Sequence, residues 1–73
     1  MWYYNRTVYS VFAGYEAQNG WGNIEGLGWR KIQTGNADGV TNVLCVLSDA
    51  AANGRRVHVL VGGNGMLIAA QLA

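Results

Sequence analysis

Cysteine and histidine occur once each, as Cys45 and His58, in a chain of 73 residues. A single cysteine excludes an internal disulfide, and one cysteine with one histidine falls short of the four ligands of a structural zinc site. Charge is scarce as well: charged residues make up 12% of the chain, and five Lys or Arg against four Asp or Glu leave a net +1. That balance argues against a polybasic binder of nucleic acid or membrane surfaces. No apolar run approaches the roughly 20 residues of a spanning helix, so no membrane insertion is expected. The opening Met1-Trp2-Tyr3-Tyr4-Asn5-Arg6 lacks the charged region and following apolar stretch of a secretory signal. The chain as written is therefore expected in the cytoplasm, and outside it if Met1 replaces a removed leader.

Apolar residues are plentiful, at 51% of the chain, which is too many for a disordered polymer. At 7.9 kDa there is material for one domain. A chain near 60 residues buries only about 60% of the surface its unfolded form exposes, so small domains usually need a staple. With disulfide and zinc excluded, oligomerisation is the remaining device. Three Trp, four Tyr and one Phe would be hard to hide in so small a monomer. A homo-oligomer of closed symmetry is expected.

Arg6 to Ala13, rich in aromatic and β-branched residues, reads as a first strand that starts earlier in the aromatic run. Simple alternation puts Val8, Ser10 and Phe12 on one face, with Thr7, Tyr9 and Val11 on the other. Glycines then punctuate the chain, and short strands are expected at Trp21 to Glu25 and Leu27 to Gln33. Val40, Val43, Leu44, Leu47, Ala50 and Ala51 recur at three-and-four spacing and predict a helix over about 39–53, with Asp38 as its cap and Asn53-Gly54 as its end. Arg55 and Arg56 are placed beside the negative end of its dipole. Arg56 to Val61 alternates with Val57, Val59 and Val61 on one face. Met66 to Leu72 alternates with Met66, Ile68, Ala70 and Leu72 together and Leu67 opposite. Gly62-Gly63-Asn64-Gly65 joins these two strands as a hairpin.

Three strands, a helix and two strands define an α+β chain. The expected architecture is a small five-stranded OB-like antiparallel barrel or strongly curved sheet, forming one domain over 1–73 with the helix between strands 3 and 4. Gly28-Trp29-Arg30-Lys31-Ile32, Asp38-Gly39-Val40-Thr41-Asn42-Val43-Leu44, Ala51-Ala52-Asn53-Gly54-Arg55-Arg56-Val57-His58-Val59 and Leu67-Ile68 together resemble the C-terminal part of B-subunit-like proteins of AB-type bacterial toxins. The subtilase-cytotoxin group and its short bacterial relatives are the nearest in pattern. The resemblance covers roughly Trp29 to Leu72. It implies OB-fold subunits in ring-shaped pentamers that bind cell-surface glycans, and it transfers no particular glycan-binding residue.

Little here suits catalysis. His58 has no positioned partner among Ser10, Ser48 and Cys45. Cys45, in an apolar helix, is expected to be a small buried hydrophobe. Glu16, Glu25, Asp38 and Asp49 are scattered, and neither Gly20-Trp21-Gly22 nor Gly26-Leu27-Gly28 completes a phosphate loop. No enzyme activity, cofactor or metal is expected. The aromatic residues carry the functional lead, because rings cover the apolar faces of sugars while amides bond their hydroxyls. Tyr15, Asn19, Trp21 and Asn23, set among glycines, are the candidate ligand contacts, and Trp29 is assigned to the core or an interface. OB-folds also stack single-stranded nucleic acid on aromatics within a basic groove, but a pI near 7.9 is low for that use. The expected function is non-enzymatic binding by a homo-oligomeric ring, with carbohydrate as ligand. The alternative is a structural or protein-interaction module without a small-molecule ligand.

Overall fold

The computed structural model describes residues 1–73. In chain order the elements are β1 (Trp2–Ala13), β2 (Gly20–Ile24), β3 (Gly28–Lys31), α1 (Ala37–Asn53), β4 (Arg56–Val61) and β5 (Leu67–Leu72). The strands form one five-stranded sheet in the order β3-β2-β1-β4-β5, every neighbouring pair antiparallel. The sheet is not closed into a barrel. β3 and β5 are its edges, and a single parallel bridge, Ile32 to Leu67, links them. The Gln33 amide donates to the Leu67 carbonyl there at 2.8 Å. The reason is length: β3 has four residues, and the chain turns towards α1 directly after Ile32.

One face of the sheet lies under α1. Val40, Val43, Leu47 and Ala50 are the buried side of the helix, and they meet Val8, Ile24, Val57, Val59 and Leu67 from the strands in a core of ten residues. Leu47, Val57, Val59, Ile32 and Leu67 are completely buried. The helix comes close to β2 because β2 has glycine at both positions beneath it. A Cβ on Gly22 would lie 2.9 Å from Leu47 Cδ1, and one on Gly20 would lie 3.3 Å from Val40 Cγ1. The glycines thus mark a close approach of helix to strand.

The helix begins two residues earlier than its hydrophobic stripe suggests, and its cap is Asn36. That residue is extended, at φ −148° and ψ 109°, and its Oδ1 accepts from the Gly39 amide at 3.0 Å. Asp38 is not the cap; it sits in the first turn, where its charge complements the macrodipole. At the other end Gly54 adopts φ 66°, a left-handed conformation that costs glycine little, and its amide donates to the Ala50 carbonyl. No basic residue occupies the last turn. Arg55 instead donates from Nη2 to the Ala73 carbonyl at 3.0 Å.

Bulges change which side chains face the helix. Between Val8 and Ser10 the β1–β2 register shifts, so Val8 pairs with Ile24, Val11 with Gly22, and Phe12 with Trp21. Val8 and Val11 therefore pack inwards while Phe12 stands outside, 52% exposed. The alternation that grouped Phe12 with Val8 fails at this extra residue. The same happens in β5, where Leu60 pairs with Ala69 and Val61 with Leu67. Ile68 is the extra residue, 45% exposed, and Leu67 takes the buried place.

Candidate ligand-binding face

The face of the sheet turned away from α1 carries the aromatic side chains. β1 is the central strand, so its exposed rings stand on that open face. Antiparallel pairing places Phe12 beside Trp21 and Asn23 between Ser10 and Trp29. Phe12, Trp21 and Trp29 line an open apolar recess of about 360 Å³. That volume lies within the roughly 300–1,000 Å³ range of small-molecule sites. Phe12 and Trp29 are each about half exposed, so their rings are available to a ligand.

Trp21 is held in place from two directions. Its indole Nε1 donates to Asn19 Oδ1 at 2.9 Å, and Asn19 Nδ2 in turn donates to Glu16 Oε2 at 3.2 Å. The Lys31 ammonium lies over its ring, 5.5 Å from the centroid, and the two residues are cross-strand partners. A cation over an indole face is attracted by the ring quadrupole. The loop before β2 is anchored as well, through the Gly14 amide to the Asn19 carbonyl and the Gly35 amide to Gln18 Oε1. A braced ring loses little freedom when a ligand stacks on it.

Of the four residues singled out in the sequence, three come together here. Trp21 lines the recess, Asn23 flanks it, and Asn19 braces Trp21. Tyr15 is fully exposed in the β1–β2 loop and lines no recess on the surface. Phe12 and Trp29, which are not among those four, line the recess with Trp21. Trp29 is not a core residue, because β3 is an edge strand and the ring lies on its open side. Cross-strand partnership with Asn23 is the signal that exposes it, and that needs the register.

The other ionisable groups lie away from this recess or are tied to the backbone. Arg30 donates to the Leu27 and Gly65 carbonyls, and Arg6 donates to the Glu25 carbonyl while lying over the Tyr3 ring. Both guanidinium groups are thus engaged by backbone carbonyls. Glu25 Oε1 accepts from the Thr7 amide at 3.0 Å. That bond holds the Glu25 carboxyl below its ordinary range, with the charges of Arg56 and Arg6 acting in the same direction. Cys45 is exposed on α1 rather than buried. No three His, Cys, Asp or Glu side chains cluster as a metal site would need.

No family model, curated protein or solved structure matches this chain. The open face thus presents three aromatic rings, the Asn23 amide between Ser10 and Trp29, and the Lys31 ammonium over Trp21.

Proposed function

We propose that this chain is a non-enzymatic binding protein that takes carbohydrate on the open face of β1, β2 and β3 and works as a homo-oligomeric ring. The observation that carries the reading is the recess of Phe12, Trp21 and Trp29, in which Asn19 and Lys31 fix the central ring. Sugars suit it because their C–H faces stack on rings while their hydroxyls find Asn23 and Ser10 alongside. The strand order, with its parallel bridge between the two edges, supports describing the sheet as an OB-like barrel opened along the β3/β5 seam. In that fold the β2–β3 face and the loops beside it are the usual site for oligosaccharides and oligonucleotides.

Self-association is supported by the limited core. Only 12 of 73 residues are buried, while Trp2, Tyr4, Tyr9 and Ile68 remain at least 38% exposed. The groove between α1 and β5, where Val46, Ile68 and Ala70 lie together, is the surface we assign to contacts between copies. The resemblance to toxin B subunits favours five copies.

Two measurements test the proposal. Light scattering across a dilution series should give a stable multiple of 7.9 kDa. Glycan-array binding should be lost in Trp21→Ala while that mass is kept. A concentration-independent monomer would overturn the ring. Assembly lost with Trp21, and no sugar bound by the parent, would favour the protein-interaction module instead.

A further inference from the structure

Near its start β1 carries a second irregularity, independent of the recess. Tyr3 pairs with Val59 and Arg6 with Val57, so Tyr4 and Asn5 together oppose the single residue His58 on β4. Asn5 is the residue that absorbs the insertion: its φ is 54°, in the left-handed region that asparagine tolerates better than most side chains. A bulge of this kind leaves the extra residue outside the regular ladder. Here the missing acceptor is a side chain. The Asn5 amide donates to Nδ1 of His58 at 3.1 Å, and the imidazole meets the Tyr4 ring edge-on at 5.1 Å, with Trp2 stacked on Tyr4 at 6.4 Å.

We infer that His58 is a pH-sensitive clamp on this bulge, holding the Trp2–Asn5 end of β1 in register only while its imidazole is neutral. The reason is the direction of one hydrogen bond. Nδ1 can accept from the Asn5 amide only when its lone pair is free, which puts the neutral ring's proton on Nε2. Protonation adds a hydrogen to Nδ1 and turns two donors towards each other, so the bond must break. The gain of a proton at Nδ1 is the whole chemical step, and the solvent supplies it. Besides the apolar Leu60 and Ala69 and the Trp2 ring, three side chains adjoin His58 on this side of the sheet. Tyr4 comes from β1, Arg56 from two residues along β4, and neutral Gln71 is the cross-strand partner on β5. Arg56 is the only one of them charged at neutral pH, and no carboxylate makes an ion pair with the imidazole to compensate for the lost bond.

Amide exchange, referred to intrinsic rates, tests this in the full chain across a pH series from about 8 to 5. Protection of the Asn5 amide should fall about five- to tenfold as the His58 ring titrates, the size of one ordinary hydrogen bond. Amides in the middle of α1 should not follow. In His58→Asn the amide oxygen stands where Nδ1 was and does not titrate, so Asn5 protection should persist across the range. Protection that stays flat while His58 titrates in the parent would overturn the clamp, as would the same fall in His58→Asn. Should His58→Asn disturb the fold, the Asn5 and His58 titration midpoints in the parent chain decide the matter, since the clamp requires them to coincide.

Discussion

Replacing Gly22 by alanine probes the contact that sets the distance between helix and sheet. The new Cβ would sit 2.9 Å from Leu47 Cδ1, 3.4 Å from Ile24 Cδ1 and 3.6 Å from Leu67 Cδ1. Those three side chains are 0%, 1% and 0% exposed, so the leucine has no solvent to move into. Overpacking of this kind costs about 1–3 kcal/mol. Alanine also restricts the unfolded chain, which returns about 0.4–1 kcal/mol. The expected net loss is about 1–2 kcal/mol, or roughly 5–15 °C in melting temperature for a domain of this size. The Leu47→Val background removes the clashing methyl at its own cost of about 1 kcal/mol. There the sign should reverse, with Gly22→Ala stabilising by about 0.5 kcal/mol once only the unfolded-state effect remains. Gly63→Ala is the control: nothing lies within 4 Å of its Cβ position and its φ is outside the left-handed region, so it should be neutral or slightly stabilising. Urea unfolding followed by circular dichroism measures the parent and all four variants. An equal loss from Gly22→Ala in both backgrounds would refute the close-approach explanation.

Three further outcomes follow from the same contacts. Asn36→Ala should cost about 1 kcal/mol through loss of the bond to the Gly39 amide, whereas Asp38→Ala should cost about 0.3–1 kcal/mol, most of it removed by high salt. For Glu25, a folded carboxyl held below its ordinary range contributes stability that is present above the unfolded value and lost as pH falls through the folded one. Glu25→Gln should therefore lower stability at neutral and alkaline pH and flatten the acid limb, so that the two proteins converge in acid. Phe12→Ala and Trp29→Ala, each removing a half-exposed ring, should weaken ligand binding well before they unfold the chain, with melting temperature and array signal read on the same samples.

The parts of the fold legible in the sequence are those where periodicity runs unbroken. Val40, Val43, Leu47 and Ala50 mark the buried helix face, and Val57 and Val59 the inner face of β4, because no insertion interrupts them. A bulge adds one residue and inverts every assignment beyond it. Simple alternation thus groups Phe12 with Val8, and sets Ile68 with Ala70 and Leu72 opposite Leu67, whereas Leu67 packs into the core with Ala70 and Leu72. The helix start was misplaced because Asn36 and Asp38 are both good capping types, and only the extended backbone of Asn36 separates them. Asn19, Trp21 and Asn23 are grouped in the sequence because they alternate along a single strand and its entry, and the structure keeps them side by side. Trp29 needed the β2–β3 register, and Tyr15 had only its exposed, glycine-rich setting to recommend it.

The three indole N–H signals give the most direct test of the proposal that the recess takes carbohydrate. In a two-dimensional NMR titration with an array-selected saccharide, the Trp21 and Trp29 indole signals should shift together and saturate at one affinity. Trp2, at the other end of β1, should stay fixed. Shifts centred on Trp2 or on the groove between α1 and β5, with Trp21 and Trp29 unmoved at saturating sugar, would contradict the assignment of this recess as the binding site.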